Sequence, residues 1–336
     1  MPSTYYVAWW NVENLFDEEN AENLLDEEGS PRRTEKVSRA IGSDIVGWTP
    51  ALRDRKIDQL ASIVAQMNGG TGPDLMGMCE VENEFVVTAL AANVNARLPA
   101  RNYQVVHADT SDDRGIDIAF LYDPKFFDAP PDQRFQFVVM RRTATRELFQ
   151  VNFQTHRNRT WAIFGNHWPS RSGGELESAG YRAIAGETLA YFHQRVGEVH
   201  GQDTPVLAMG DFNDEPFDLS LVQYALSTRE RAKVLGGTSP RLWNLMWELM
   251  GTREGTFYFE NFSNFLDQLL VNKNMVKATS PIQADPGSVE ILRFPGLVNP
   301  AATYPAAIAF GGMGKPVNLN GYSDHLPIGM QVQEAD

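Results

Sequence analysis

Pro205-Val206-Leu207-Ala208-Met209-Gly210-Asp211-Phe212-Asn213-Asp214-Glu215-Pro216 carries the reading of the fold. A short apolar run bounded by Pro and Gly is the pattern of a buried strand. Here that strand delivers a carboxylate, Asp211, and an amide, Asn213, at its C-terminal end. Much later, Ser323-Asp324-His325-Leu326-Pro327-Ile328-Gly329-Met330 runs the other way, with the polar residues first and the strand after them. Carboxylate, amide and imidazole on strand ends are the groups that bind a metal and activate water. Either stretch alone could be a polar loop; others of the same kind argue against that.

Working outward, Thr4 to Trp10 is β-prone and ends at Asn11. Ile57, Leu60, Ala61, Val64 and Met67 recur at helical spacing behind the start signal Thr49-Pro50, which predicts a helix over 51–67. A buried strand at 74–79 and a helix over 84–98 follow. Strands are expected at 103–108, 116–122, 134–140, 148–154 and 160–166, the last two joined as a hairpin through Thr155 to Arg159. Then come a helix near 177–197, the strand at 205–210, helices around 217–226 and 240–250, and a strand at 265–271. Asp17 to Glu28 is acidic without an apolar period and reads as a solvated excursion. Residues 280–320 read as a long loop rich in Pro, Gly and Ala. Strands interspersed with a few helices suggest a layered α/β or α+β fold. Pattern alone leaves two stacked sheets and one open sheet both available.

The chain has 336 residues, a hydrophobic fraction of 43% and a formal net charge of −14. Length alone would suggest two domains, but candidate residues running from Asn11 to His325 must meet in one cleft. A single domain over 1–336 is therefore expected, with insertions near 17–50 and 280–320, and a monomer. One cysteine, Cys79, rules out an intramolecular disulfide framework or a multi-cysteine zinc site, and its apolar surroundings mark a buried thiol. No run is long enough for a membrane helix. Residues 1–10 lack the pattern of a signal peptide, so a cytoplasmic location is expected unless a leader was removed. The negative charge opposes nonspecific attraction to polyanions.

Polar clusters end apolar strands at Trp10-Asn11-Val12-Glu13-Asn14, Cys79-Glu80-Val81-Glu82-Asn83, Asp113-Arg114-Gly115-Ile116-Asp117 and Asn166-His167-Trp168-Pro169, besides the two stretches above. Asp267 lies inside the apolar run Phe265 to Leu270. A buried carboxylate needs a partner, and a histidine serves well because the pair also fixes the ring tautomer.

These segments resemble the motif set of the endonuclease/exonuclease/phosphatase superfamily, which includes pancreatic-type deoxyribonuclease and the abasic-site endonucleases. Asn11-Val12-Glu13-Asn14-Leu15-Phe16-Asp17, Glu80-Val81-Glu82-Asn83 and Asn166-His167-Trp168 are similar to its bacterial, extracellular-nuclease-like branch. The resemblance spans nearly the whole chain. It implies a four-layered α/β sandwich, two mixed β-sheets packed face to face with helices outside. It also implies Mg²⁺- or Mn²⁺-dependent phosphoester cleavage, with DNA as substrate and a small phosphorylated metabolite or lipid head group as the alternative. Carried over, Glu80 is the principal metal ligand, with Asn11 and Asp324 at or near the ion and Glu13 less defined. Asp211 would orient or deprotonate water, and Asn213 would hold a phosphate oxygen. His325, paired with Asp267, would stabilise the phosphorane. His167 would contact the phosphate or assist the leaving group, and Arg114 would steady the cleft or the phosphate.

Plainer readings apply elsewhere. Glu82 and Asp214 are supporting or solvated neighbours, and Asp117 is a polar strand position. His107, His156, His193 and His200 show no partner pattern. Trp9, Trp10, Trp161 and Phe164 belong to the core, whereas Trp168 and Tyr322 are the candidates for stacking on a base or sugar. Arg141, Arg142 and Arg146 form either a backbone-contacting patch or a solvated turn. The Gln-Glu-Thr-Lys pattern of the abasic-site enzymes is replaced by Cys79-Glu80-Val81-Glu82, and the Trp-Cys-Asp-Arg stretch of inositol polyphosphate 5-phosphatases is missing. Both departures weigh against those specificities.

Overall fold

The computed structural model describes residues 3–110, 114–139, 146–252, 254–299 and 304–336. The apolar strands pair into two mixed sheets. In the seven-stranded sheet the order is Ile282–Ala284, Ile328–Glu334, Ser3–Leu15, Leu75–Val81, Asp117–Tyr122 and Gln104–Ala108, with Glu290–Ile291 also on Ile328–Glu334. In the eight-stranded sheet it is Ser227–Thr228, Leu242–Asn244, Asp267–Asn272, Val206–Asp211, Thr160–His167, Leu148–Thr155 and Phe127–Asp128, with Arg134–Phe137 also on Leu148–Thr155. The first and last long strands are antiparallel neighbours, Ser3 facing Glu334 and Trp9 facing Ile328.

Period-two alternation builds the layers. Val7 and Trp9 turn inward and share a core with Ile118 and Phe120 of their own sheet and Phe149, Ile163, Leu207 and Leu269 of the other. Tyr6, Ala8 and Trp10 turn outward onto the helices Pro50–Val64 and Glu84–Arg97. On the far side, Ala162, Phe164 and Ala208 pack under Ala185, Leu189 and Val196 of the helix Glu175–His200. Helix, sheet, sheet and helix thus form four layers. The sheets come so close that a Cβ at Gly77 would lie 2.6 Å from the Trp9 ring and 2.9 Å from the Met209 methyl.

Several expectations need correction. Residues 240–250 form a strand, Leu242–Asn244, and one tight turn, Leu245–Glu248, not a helix. Residues 217–226 contain only the π-helical turn Ser220–Tyr224. The 280–320 stretch lends Ile282–Ala284 and Glu290–Ile291 to the sheet edge; segments this short carry no readable period. The acidic excursion is not simply solvated. Asp17 is fully buried and paired with Arg32 and Arg53, and Arg33 grips buried Glu82 at 2.6 and 2.9 Å. Beside them Phe16, Ile41, Ile45, Trp48 and Phe310 make a small separate core. Met140 to Thr145, and with them Arg141 and Arg142, lie outside the described residues, as does Asp113.

Candidate functional site

The parallel pairs Ser3–Leu15/Leu75–Val81 and Thr160–His167/Val206–Asp211 point their C-terminal ends to the same edge of the sandwich. Asp267 opens an antiparallel strand there, opposite Asp211. Sheet pairing alone therefore gathers Asn11, Glu80, His167, Asp211 and Asp267, and Asp324 and His325 arrive just before the last strand. Register breaks after Asn11 and after Cys79 reshape that edge, with positive φ at Glu13 (50°), Asn14 (56°) and Glu80 (65°). Such backbone is uncommon outside glycine and concentrates at functional sites.

Asn11 is the central bridge. Its Nδ2 donates to Glu80 Oε1 at 3.2 Å and Asp211 Oδ2 at 3.1 Å, while its Oδ1 accepts the Glu13 amide at 3.0 Å. Glu80 Oε2 accepts the Asn14 amide at 3.1 Å. Asp211 Oδ1 accepts the Asn213 amide, and Asn213 Nδ2 donates to Asp211 Oδ2 at 3.2 Å and to the Trp168 carbonyl at 2.9 Å. His325 Nδ1 lies 2.7 Å from Asp267 Oδ2, and Trp9 Nε1 donates to the other oxygen at 3.2 Å. That leaves His325 Nε2 facing Asp211 Oδ2 and Asp324 Oδ1, each at 4.0 Å. His167 Nε2 is 3.4 Å from Glu80 Oε1, yet neither ring nitrogen has a hydrogen-bond partner among the described residues. Arg114 is exposed, and its charge reaches His167.

The electrostatics follow from crowding in a dry edge. Burial, then the charges of Asp267 and Glu80, push Asp211 up to about 7 against the pull of His325. Burial and Glu80 also raise Asp324. Burial alone would lower His325, but Asp267 and Asp211 hold it well above its ordinary value. Burial together with Arg146, Arg114 and His325 drives His167 well below. Burial pushes the Cys79 thiol up, so it stays protonated although its sulfur lies within 4.8 Å of ligand atoms of His167 and Asp211.

Glu13 sits deeper. Its two oxygens accept the Phe310 and Gly311 amides at 2.7 and 3.2 Å, and burial with Asp324 nearby raises it to about 7. Lys56, fully buried, donates to the Glu13 carbonyl and lies 4.8 Å from the Phe310 ring centroid. Sequence reading passed over Lys56. The available signal was a lysine beside Ile57 on the apolar stripe of a helix. Ser323 Oγ donates to the Asn11 carbonyl at 2.7 Å and accepts the His325 amide at 3.1 Å, a bracing role that the sequence does not signal.

Other expectations change. Trp168 is 1% exposed, edge-on to Phe212, with Nε1 donating to Asn166 Oδ1, so it offers no stacking face. Arg146 is buried and donates to the Trp168 carbonyl at 2.6 Å, which fits neither a surface patch nor a solvated turn. His107 does have a partner, Asp117, at 3.2 Å. Asp214 is bound by Arg171 and Arg182.

A model of the Endonuclease/Exonuclease/phosphatase family matches residues 6–334. A comparison with curated proteins finds no match. Among solved structures the chain is similar to an endonuclease/exonuclease/phosphatase family protein from Bacteroides thetaiotaomicron, at 14% identity over all of both chains and a TM-score of 0.56. It is similar to the mannosyl-6-phosphatase Bt3783 of the same organism, at 16% identity over 98% of this chain and 99% of that one, TM-score 0.53. It is also similar to D. rerio TDP2 complexed with a single-strand DNA product, at 13% identity over 98% and 99%, TM-score 0.56.

Proposed function

The chain belongs to the endonuclease/exonuclease/phosphatase family, and from that premise we propose that it is a divalent-metal-dependent phosphodiesterase acting on DNA. The family's hydrolases act on phosphoester bonds; the DNA substrate is the finer step. The observation that carries the reading is the single edge that joins Glu80, Asn11 and Asp211 by hydrogen bonds and sets the Asp267-bound His325 4.0 Å from Asp211.

The donor set suits a hard cation. Glu80 and Asp324 are carboxylates crowded enough that the charge of Glu80 raises Asp324, and Asn11 steadies Glu80 by donating Nδ2 to Oε1 while its own Oδ1 accepts the Glu13 amide. Mg²⁺ binds through one or two carboxylates and keeps its remaining positions for water and phosphate. Glu80 and Asp324 would hold the ion, Asn11 joining them through its carbonyl oxygen on turning its amide, and Glu13, whose oxygens already hold the 310–311 turn, would brace them. When bound, the metal supplies positive charge against the phosphate.

The chain's own groups supply the rest. Asp211, near 7, is matched to taking a proton from water at neutral pH. Water oxygen forms the new bond to phosphorus as the ester P–O bond breaks. His325, held cationic by Asp267, stabilises the charge that grows on phosphate oxygens. Asn213 locks Asp211 in place, and its amide becomes available to phosphate only on releasing the Trp168 carbonyl. Neutral His167, which also feels the charge of Arg114, would face the phosphate or leaving oxygen.

Net charge of −14 favours a second reading, a small phosphoester, because nothing in the overall balance attracts a polyanion. Supercoiled DNA, single-stranded DNA, RNA and a panel of phosphorylated metabolites should be assayed side by side with Mg²⁺, Mn²⁺ and EDTA. The DNA reading requires metal-dependent nicking that EDTA abolishes and Glu80→Ala severely weakens. Turnover of a metabolite with no cleavage of DNA selects the second reading, and full activity in EDTA defeats both.

A further inference from the structure

The hairpin Phe257–Phe259/Phe262–Asn264 pairs with neither large sheet and carries aromatic surface that the chemistry above does not use. Its base is fastened to the site. Phe257 bridges to His325, and its ring lies 4.8 Å from the imidazole, centroid to centroid, at 34°. The Asp267 amide donates to Thr256 Oγ1 at 3.0 Å, and the Leu326 amide to the Thr256 carbonyl at 2.7 Å. The tip is the two-residue turn Glu260-Asn261, with φ of 48° and 70°, the doubly left-handed form that fits the twist of tight hairpins.

Alternation and register decide which way the rings face. Phe257 opposes Asn264, and Phe259 opposes Phe262. Directly opposed residues share a face, and so do residues two apart on one strand. Phe257, Phe259 and Phe262 therefore line one face. Tyr258 is on the other and packs against the core that contains Leu292 and Leu297. The aromatic face begins at His325 and runs outward to Phe259, 62% exposed, and Phe262, 73% exposed.

We propose that this face stacks on a nucleobase of the substrate, next to the ester bond that the site cleaves; the assignment rests on the DNA reading above. Continuity with His325 means that the occupant is joined to the reacting group. Residues 257–264 contain no Lys or Arg and one acid, Glu260, so the hairpin attracts neither a phosphate backbone nor an anionic membrane. A neutral planar ring fits. Phenyl rings have few rotamers to freeze, and stacking on them tolerates any base.

The test compares a single-stranded thymidine oligonucleotide with one of equal length whose internal residues are abasic. Phe259→Ala combined with Phe262→Ala should lower kcat/KM on the base-bearing strand roughly 10- to 100-fold, mostly through KM, and leave the abasic strand unchanged. The matching double tyrosine variant should restore cleavage. Equal losses on both strands would assign the rings a structural role and overturn the proposal. So would unchanged cleavage of both strands, including the case in which the double alanine variant loses only co-sedimentation with phosphatidylcholine vesicles. A wild-type protein that cleaves neither strand but hydrolyses a phosphoester lacking a base would remove the DNA reading and this proposal together. Base-indifferent cleavage removes this one alone.

Discussion

Two imidazoles share the cleft and are treated in opposite ways. His325 arrives just before the last strand with Asp267 bound to Nδ1 at 2.7 Å and Asp211 and Asp324 facing Nε2. His167 ends a strand of the eight-stranded sheet with both nitrogens unpartnered among the described residues and the charges of Arg146 and Arg114 turned toward it. Both rings are buried, so burial pushes both down alike. The neighbours decide the rest, raising His325 well above its ordinary value and driving His167 further below. One edge thus holds a cationic ring and a neutral ring of the same residue type, set apart by their neighbours alone.

The harshest way to break this contrast is to cut the His325 pair. Asp267→Asn leaves the shape and removes the charge that keeps the ring cationic. Turnover should fall on the order of 10²-fold or more, and His325→Ala should cost at least as much. The two losses should overlap: the double variant should be scarcely worse than His325→Ala alone, as expected of groups acting as a unit. Fully additive losses in steady-state kinetics would mean that Asp267 acts on something other than the ring. Mn²⁺ binding by calorimetry should survive Asp267→Asn.

A milder probe is the pH dependence of stability, measured by denaturant unfolding in EDTA. An unfolded histidine titrates near ~6.5. For His325 the folded value is higher, so its contribution is fully present below about pH 6.5 and is lost as pH rises through the folded value. For His167 the folded value is lower, so the unfolded chain binds the proton first. Its neutral form costs nothing above about pH 6.5, and stability drains away as pH falls below that. The gap between wild type and His325→Asn should therefore shrink as pH rises, and His167→Asn should remove a loss seen on the acid side. Parallel pH curves for the two variants would erase the distinction.

What the sequence revealed and what it hid divide along the same physical line. Apolar period gave the strands at 74–79, 160–166 and 205–210, and Thr49 does cap the helix Pro50–Val64 by accepting the Leu52 amide. Polar residues at strand ends could be found one segment at a time. Partners distant in sequence could not: Arg33 with Glu82, Arg53 with Asp17 and His107 with Asp117 depend on which strands and loops the topology brings together. Trp168 misled because adjacency to His167 says nothing about the direction its side chain takes once the strand has ended. Two- and three-residue strands such as Glu290–Ile291 are too short to show a period.

The gentlest test concerns the ring that only one of the two histidines possesses. Phe257 lies against His325 at 4.8 Å, and no aromatic contact of that kind involves His167 among the described residues. Aromatic contacts of this sort contribute on the order of 0.5–1.5 kcal/mol beyond area burial. Phe257→Leu keeps most of the apolar volume of a half-buried position and loses the tilted ring contact. It should reduce turnover less than tenfold, a far smaller effect than Asp267→Asn, because the ion pair still sets the ring's charge. By NMR the His325 ring resonances should move while those of His167 stay in place. Equal movement of both would show that the hairpin braces the whole edge and that the two imidazoles are not independently set.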